Sequence, residues 1–276
     1  MGGGPYRCAV PPEIPAWIAA ARSASTAGRF ATIEWVAETG STNSDLSARA
    51  ADRAVRELVL VADHQTAGRG RLDRQWLALP GQNLLLSVLI RPECPPERWP
   101  LATSAMAVAV VDVVAAFGIA HAGIRWPNDV VVDGGPAPGK LAGVLAELML
   151  DGTRPAAVVV GVGLNVAWPI DAEARRSLAA TSLAACRDEV PGRGDLLAAV
   201  LARFATVVWL VETEPRRLRE LHLARSLTVG RDVRVARADG TSLEGRAVDI
   251  DEAGRIVVRA SGVDEVLSAG DVTHLR

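Results

Sequence analysis

The 276-residue sequence is poor in cysteine, in lysine and in aromatic residues, and it has no excess of charge of either sign. Its three cysteines, Cys8, Cys94 and Cys186, are widely spaced and form no C-x-x-C pair, which argues against a disulfide framework and a cysteine-ligated zinc site. With 30 Lys+Arg against 32 Asp+Glu, the net charge is −2, so the chain lacks an overall basic field for binding nucleic acid. Only a local basic patch is left open.

Signals for export or for a membrane are also missing from the sequence. The first twelve residues, MGGGPYRCAVPP, contain no apolar core of a signal peptide, and Tyr6 breaks the pattern of a myristoylation signal. The most apolar stretch, residues 105–120, contains Asp112 and is too short to span a bilayer. At 49% hydrophobic and 22% charged residues, the chain is not mainly disordered. We therefore expect a soluble cytoplasmic protein that makes no contact with a membrane.

Two residue types are so rare that their positions are informative. Lys140 is the only lysine among the 30 basic residues, and the only asparagines are Asn43, Asn83, Asn128 and Asn165. This bias is typical of a GC-rich genome, in which Arg and Asp replace Lys and Asn wherever any polar residue suffices. The five residues that remain are candidates for positions at which the replacement would fail. Chance survival is the alternative for each of them taken alone.

Hydrophobic periodicity predicts alternating strands and helices up to about residue 226 and strands alone after it. The predicted strands of the first part are 31–37, 57–63, 83–90, 123–126, 129–132, 140–150 and 156–166, and the predicted helices are 13–24, 40–54, 98–117, 171–185 and 195–224. From residue 227, short alternating strands with turns at 238–240 and 251–254 predict a small antiparallel barrel. We expect a partly loose N-terminal segment over 1–30, a larger domain over 31–226 and a small domain over 227–276.

Three familiar motifs are matched only in part. GGPAPGKL (134–141) has no Ser or Thr after its lysine to hold magnesium, so it is not a P-loop. GVGLNV (161–166) lacks the third glycine of a dinucleotide-binding fingerprint. In DIDEAG (249–254), Ala253 stands at a ligand position of a calcium loop, so a hairpin turn is the better interpretation.

Two polar segments are stronger candidates for a binding site. In GRGR (68–71) the glycines allow close approach of the backbone to a ligand, and Arg69 and Arg71 supply planar forks for carboxylate or phosphate. Trp76 offers a stacking surface for a planar base, and Gln65 offers an amide for a polar heterocycle. For GRGR alone, a solvated basic turn is the alternative.

The second segment, RWPND (125–129), joins a cation, an aromatic ring, a proline, an amide and a carboxylate, and for it an Asx turn is the alternative. Lys140 follows, with Gly143 permitting close approach, and Asn165 ends a strand, where a simple cap is the alternative. All four asparagines and the lysine fall inside or beside these Gly-rich segments. A shared site for an anionic ligand is therefore favoured over five independent structural explanations.

The sequence resembles the biotin protein ligase family in seven segments that follow the family's order: GSTN (40–43), HQTAGRGR (64–71) with Trp76, PGQNLLLS (80–87), RWPND (125–129), GKLAG (139–143), GVGLN (161–165) and TSL (181–183). The resemblance covers about residues 31–276. It implies an α/β (α+β) fold, with a class II synthetase-like catalytic domain of mixed sheet and helices and a small C-terminal SH3-like β-barrel. It also implies an enzyme that makes biotinyl-5′-AMP from biotin and ATP with Mg²⁺ and transfers the biotin to a lysine of a carboxylase carrier domain.

The resemblance also assigns roles to individual residues. The expected biotin contacts are Ser41, Thr42, Asn43, Gln65, Gly68, Arg69, Gly70, Lys140 and Gly143. The expected nucleotide contacts are Arg71, Trp76, Asn128, Asn165 and Arg276. The chemistry is expected of Lys140, Asp129, Arg71 and Arg125, with Asp129 orienting or deprotonating the incoming lysine amine. The sequence identifies no metal ligand.

Two residues depart from the family's pattern, which usually has lysine at Arg125 and glycine at Asp73. Only about 30 residues precede the first predicted strand, too few for the N-terminal DNA-binding domain of some members, so we expect a ligase without that domain and without a nucleic-acid partner. The oligomeric state is open, with a monomer as one option. Two alternatives to a biotin protein ligase are a lipoate–protein ligase and a non-catalytic protein that binds biotin or biotinyl-AMP.

Overall fold

The structure is a computed structural model, and it describes residues 13–25, 28–72, 74–168, 173, 177–237 and 239–275. These residues form a seven-stranded mixed sheet with helices, followed by a five-stranded antiparallel sheet. The α/β fold class expected from the sequence is thereby confirmed.

The larger sheet consists of β1 (Ile33–Thr39), β2 (Leu58–Gln65), β3 (Asn83–Ile90), β4 (Ala122–Arg125), β5 (Asp129–Val132), β6 (Gly139–Asp151) and β7 (Arg154–Asn165). Its spatial order is β1-β2-β3-β7-β6-β5-β4. Only β1 and β2 run parallel, and the other neighbouring pairs are antiparallel. Every residue of β3 is buried, because the sheet is covered on both faces at its centre.

The described helices are α1 (Ala16–Ser25), α2 (Thr42–Arg49), α3 (Leu101–Ala116), α4 (Leu183–Cys186), α5 (Arg193–Thr213) and α6 (Pro215–Leu223), with a 3₁₀ turn at Pro96–Arg98. The apolar side chains of α3 surround the whole helix, which explains its burial between α5 and the sheet. By length and composition alone, residues 96–116 and 193–213 are apolar enough to cross a membrane. The first of these helices is mostly enclosed in the core, as the central helix of a globular domain is.

Two predicted helices differ from the structure. The predicted helix 195–224 is two helices, because Pro215 begins α6 and cannot continue the hydrogen bonding of α5. Of the predicted helix 171–185, residues 171, 172 and 174–176 lie outside the described residues, and 179–182 are not helical. There the Lys140 N–H donates to the Ala179 carbonyl (2.8 Å), and the Thr181 N–H donates to the Lys140 carbonyl (2.9 Å). A non-local pairing has replaced the local helix.

The smaller sheet consists of β8 (Asp232–Ala236), β9 (Ser242–Ile250), β10 (Ile256–Ala260), β11 (Val263–Leu267) and β12 (Asp271–His274), in the order β11-β10-β9-β8-β12. All its neighbouring strands are antiparallel, as the sequence predicts for this part of the chain. Closure into an SH3-like barrel and the domain boundaries at residues 30 and 226 stay predictions.

Trp126 joins the two sheets. It is buried in the same apolar cluster as the core side chains of the smaller sheet, among them Val233 and Ile256. Its backbone N–H donates to Thr228 Oγ1 (3.0 Å), and its indole Nε1 donates to the Gly254 carbonyl (2.9 Å). The smaller sheet and the residues next to it therefore support the RWPND segment through Trp126.

Candidate active site

A cavity of about 520 Å³ opens between the larger sheet and the β8–β12 side of the smaller one. It brings together most of the residues that the sequence singled out, although they come from distant parts of the chain. Those that line it are Ser41, Thr42, Asn43, Gln65, Arg69, Gly70, Arg71, Trp76, Arg125, Asn128, Asp129, Lys140 and Gly143.

The floor of the cavity is formed by glycines on neighbouring strands. Gly143 of β6 and Gly163 of β7 are register partners, and the ring of Trp76 lies against both. A Cβ added to Gly163 would be 2.4 Å from Trp76 Cε2, and one added to Gly143 would be 3.0 Å from Cζ3. Trp76 Nε1 is buried and has no hydrogen-bond partner among the described residues. The expected stacking residue thus rests on the sheet.

Lys140 is anchored at the backbone and its side chain reaches into the cavity. Its Nζ is 2.6 Å from Asp129 Oδ1 and 5.5 Å from the centroid of the Trp76 ring. The Lys140 side chain is about a third exposed, so its ammonium group is accessible to an anion in the cavity.

The GRGR loop is attached to both sheets. Arg71 Nη1 donates to Asn128 Oδ1 and to the Gly270 carbonyl, both at 3.4 Å, and Arg74 forms an ion pair with Asp271. Asn128 in turn donates to the Val144 carbonyl (2.7 Å). Burial lowers the pKa of Arg71 from its usual value, but an arginine remains charged. The loop therefore brings a partly desolvated cation to the cavity.

The electrostatics of the cavity favour an anion. Among the described residues, its walls carry six basic side chains (Arg69, Arg71, Arg74, Arg125, Lys140 and Arg234) against the two carboxylates Asp129 and Asp271. Arg125 Nε is buried and has no partner within the described part of the chain. Burial, and next the charge of Arg125, lower the pKa of His274. A ligand with two or more negative charges would offset this excess.

The opposite end of the cavity carries neutral polar groups. Ser41 precedes α2 but makes no side-chain capping bond, which leaves its hydroxyl facing the cavity. Gln65 Oε1 accepts from the Thr42 backbone N–H (2.8 Å) and lies 3.0 Å from Thr42 Oγ1. Gln65 Nε2 is therefore directed away from these groups and can donate to a carbonyl. The site combines a cationic half with a half suited to a small polar ring.

Two of the expected site residues, Gly68 and Asn165, do not line the cavity, and a third, Arg276, lies outside the described residues. A Cβ added to Gly68 would be 2.5 Å from the Trp76 carbonyl oxygen, so Gly68 permits a close approach within the loop. Asn165 is buried behind Lys140 and donates to the Thr181 carbonyl (2.9 Å) and, more weakly, to the Lys140 carbonyl (3.5 Å). Arg276 and Asp73 lie outside the described residues. Nucleotide contacts of Asn165 and Arg276 stay predictions.

Two polar residues beside the cavity were not identified from the sequence. Ser87 is the one polar residue between apolar neighbours within β3, and Glu147 follows the cavity-lining Leu145 by two positions on β6. An isolated serine in a fully buried strand is a usable signal, whereas a glutamate near the end of a strand is not. Within the described residues, no three His, Cys, Asp or Glu side chains are grouped so as to hold a metal ion.

Comparison with known proteins gives a consistent result. Residues 39–165 match the biotin/lipoate A/B protein ligase family, and residues 228–275 match the biotin protein ligase C terminal domain. A biotin–[acetyl-CoA-carboxylase] ligase of Mycobacterium tuberculosis is 42% identical over 250 residues, covering 88% of this chain and 89% of that protein. The bifunctional ligase/repressor BirA of Bacillus subtilis is 31% identical over 216 residues, and the match covers 76% of this chain and 64% of its length.

The fold is also found among solved structures. The biotin protein ligase from Aquifex aeolicus in complex with biotin and ATP superposes with a TM-score of 0.72 at 25% sequence identity, covering 90% of this chain and 100% of the other.

Proposed function

The chain belongs to the biotin protein ligase family, and we propose that it joins biotin to the AMP part of ATP, releasing pyrophosphate, and then passes the biotin to a lysine of a carboxylase carrier protein. It is an ATP-dependent ligase, as the 42% identity with the mycobacterial enzyme indicates. The observation that carries the proposal is the position of Lys140 in a cavity where six basic side chains meet a neutral polar end. This arrangement suits one ligand with a carboxylate and a ureido ring and a second with phosphates.

In the first step, a biotin carboxylate oxygen attacks the α-phosphorus of ATP, and the α–β phosphoanhydride bond breaks to release pyrophosphate. Both reactants are anions, so their approach is opposed unless fixed positive charge lies between them. Lys140, Arg71 and Arg125 supply that charge from three separate segments. We assign Lys140 to the junction of the two anions, because it is the cation beside both the glycine floor and Asp129.

In the second step, the carrier lysine must reach the acyl carbon as a neutral amine. Nitrogen attacks that carbon, the bond from the acyl carbon to the phosphate oxygen breaks, and AMP leaves. We propose that Asp129 accepts the proton that the ammonium group of the carrier lysine must lose before its nitrogen can attack. One oxygen of this carboxylate already lies 2.6 Å from Lys140 Nζ, and its side chain is a quarter exposed to the cavity.

Magnesium fits this site as an ion that arrives with ATP. Asp129 and Asp271 are the two carboxylates of the described cavity wall, and each already has a cationic partner. Mg²⁺ commonly uses phosphate oxygens, waters and one or two carboxylates rather than an all-protein cage. Bound there, it would neutralise phosphate charge, and either carboxylate could serve as its protein ligand.

The remaining expectations are part of the same proposal. The carrier is a biotin carboxyl carrier domain of an acyl-CoA carboxylase, the location is cytoplasmic, and nucleic acid and membranes are not partners. The lipoate–protein ligase and the non-catalytic binding protein are not favoured, because the mycobacterial relative and the Aquifex structure both carry the name of a biotin ligase.

The test is direct. The purified chain is mixed with biotin, MgATP and a carboxylase carrier domain, and the intact mass of the carrier is followed with time. We expect one biotin for each carrier, no product without ATP and no product with lipoate in place of biotin. Biotin binding without any carrier modification would support the non-catalytic alternative instead.

A further inference from the structure

Glu147 lies one step beyond the cavity on strand β6. Side chains alternate along a strand, so Gly143, Leu145 and Glu147 share one face. Gly143 and Leu145 line the cavity. Glu147 continues that face next to the neutral polar end of the cavity, and its side chain is about one-fifth exposed.

The two carboxylate oxygens of Glu147 hold two segments of the site. Oε2 accepts from Asn43 Nδ2 at 2.7 Å, and Oε1 is 2.8 Å from Nη2 of Arg69. Asn43 belongs to the first turn of α2, and Arg69 belongs to the GRGR loop. Both partners line the cavity. One negative charge thus fixes two cavity walls that are far apart in sequence.

The hydrogen bonds that lead away from Glu147 have a defined direction. Asn43 Nδ2 donates to Glu147 and to the Leu145 carbonyl (3.1 Å), so Asn43 Oδ1 must be the acceptor on its other side. Ser87 Oγ donates to that oxygen at 2.6 Å, and its single hydroxyl hydrogen is thereby used. Thr42 Oγ1 lies 2.7 Å from Ser87 Oγ and 3.0 Å from Gln65 Oε1, and its one hydroxyl hydrogen goes to the nearer Ser87 oxygen, because Ser87 has no hydrogen left to donate.

The direction continues to Gln65. Its Oε1 faces the Thr42 backbone N–H, so its Nε2 is the free donor, while Thr42 Oγ1 keeps lone pairs to accept. A ureido ring presents one carbonyl acceptor and two N–H donors. Gln65 and Thr42 therefore present a donor and an acceptor to such a ring, and the charge on Glu147 sets the direction of the Thr42 hydroxyl through Asn43 and Ser87.

The close packing of Asn43 supports this dependence. A Cβ added to Gly161 would be 2.1 Å from Asn43 Oδ1, so the amide lies directly against strand β7. Asn43 is 4% exposed and Ser87 is fully buried. The amide has little room to turn over without breaking its bonds to Glu147 and Ser87.

We propose that Glu147 is a positioning residue for recognition of the ureido ring of biotin, an inference that rests on the proposed function. Its ionised carboxylate orients Asn43 and, through Ser87, the Thr42 hydroxyl that faces the ring beside Gln65. The same carboxylate holds Arg69 at the edge of the cavity. Glu147 itself touches neither substrate.

The test is the variant Glu147→Gln in the full-length protein. Both Asn43 and Arg69 donate to the Glu147 carboxylate, but the amide of glutamine has one oxygen to accept and one NH₂ group that can only donate. The variant therefore loses either the hydrogen bond to Asn43 or the one to Arg69. We expect the Kd for biotin by calorimetry, and KM for biotin in pyrophosphate exchange, to rise about tenfold to a hundredfold. KM for ATP and kcat should stay within about threefold. Glu147→Asp, which keeps the charge, should recover part of the affinity.

Matched variants separate positioning from a general loss of structure. Glu34→Gln removes the charge of an exposed glutamate whose Oε1 lies 3.0 Å from Arg49 Nη2, and neither residue lines the cavity. This variant should leave the Kd for biotin, both KM values and kcat unchanged. Gly161→Ala displaces Asn43 without touching Glu147, so its effect should not add to that of Glu147→Gln. Desthiobiotin keeps the ureido ring and should lose the same factor in affinity as biotin.

Biotin affinity of Glu147→Gln within about twofold of wild type would overturn the proposal, as would a parallel rise of KM for ATP. Additive effects of the two variants would overturn it as well. Failure of the wild-type protein to modify a carrier would instead contradict the proposed function. The calorimetric comparison would still decide the role of Glu147.

Discussion

Lys140 is fixed by the protein on both sides of its Cα atom. Its backbone pairs with Ala179 and Thr181, and its Nζ lies 2.6 Å from Asp129 Oδ1. Because the backbone cannot shift without breaking those pairs, the length of the side chain decides where the charge lies. The single lysine in a chain that otherwise uses arginine is thus explained by a position that needs a compact ammonium group.

His222 makes stability depend on pH. It lies on α6 with 1% exposure, and neither ring nitrogen has a hydrogen-bond partner among the described residues. Burial, and next the charge of Arg225, lower its pKa from 6.5 to about 4. In the unfolded chain the ring binds a proton below about pH 6.5, whereas in the folded chain it does not until about pH 4. Its contribution is therefore complete above pH 6.5 and is lost as the pH falls through this window.

We expect the free energy of unfolding in urea to drop by roughly 2 kcal/mol between pH 7 and pH 5 because of this one group. The variant His222→Leu, which cannot be protonated, should show a flatter profile over the same range. Equal losses in the two proteins would show that His222 is not the cause.

Rare residues predicted part of the site but not the function of each residue. Asn43, Asn128 and Lys140 line the cavity, whereas Asn83 donates to Asn165 (3.1 Å) inside the core. Scarcity therefore identifies positions where an amide is needed, both for a ligand and for internal pairing. Glu147 could not be found in this way, because glutamate is common and its task depends on partners from two other segments.

At the scale of elements, the paired strands β6 and β7 build the floor on which Trp76 rests. Gly163→Ala would place a Cβ 2.4 Å from Trp76 Cε2, so the indole or the strand must move. We expect a loss of about 1–3 kcal/mol in the free energy of unfolding, measured with urea. The double variant Gly163→Ala with Trp76→Ala should recover part of the lost free energy of unfolding, because the indole that clashes with the new Cβ is absent.

Gly40→Ala is the control for this pair, since a Cβ there would meet nothing within 4 Å. It should change the free energy of unfolding by only a few tenths of a kcal/mol. Simple addition of the two single effects in the double variant would contradict a direct clash between residue 163 and the indole.

Which elements could be predicted depended on whether their cause was local. The strands that meet at the floor follow from alternation and apolar runs in the sequence. The segment 179–182 could not be predicted, because its alanine-rich composition favours a helix while pairing with Lys140, 39 to 42 positions earlier in the numbering, decides its shape. The strands of the smaller sheet were predictable from their turns.

At the scale of the whole molecule, Trp126 ties the smaller sheet to the site. It is 3% exposed, and Asn128 and Asp129 follow it closely in the chain. Trp126→Ala should lower the free energy of unfolding by about 3–5 kcal/mol through the cavity it leaves. It should also slow carrier modification, because the RWPND turn loses its support. Urea unfolding and the carrier assay measure the two effects.

Trp209 offers the matching control, since it is 50% exposed on α5. Trp209→Ala should stay within about 0.5 kcal/mol of wild type. If both tryptophan variants were equally stable, Trp126 would not join the two sheets energetically. The sequence predicted two structural regions but could not predict that Trp126, which follows β4 of the larger sheet, is buried in the apolar cluster of the smaller sheet, since that depends on how the regions pack.

The central claim, that the Lys140 ammonium group holds two anions together, is tested most directly by the single-turnover rate of biotinyl-5′-AMP formation from biotin and MgATP without carrier. Lys140→Ala should reduce this rate about a thousandfold, with a much smaller loss of biotin affinity and with unchanged urea unfolding. Lys140→Arg keeps the charge but places it differently, so its rate should lie between those of Lys140→Ala and the wild type. A Lys140→Ala rate close to that of the wild type would contradict the account.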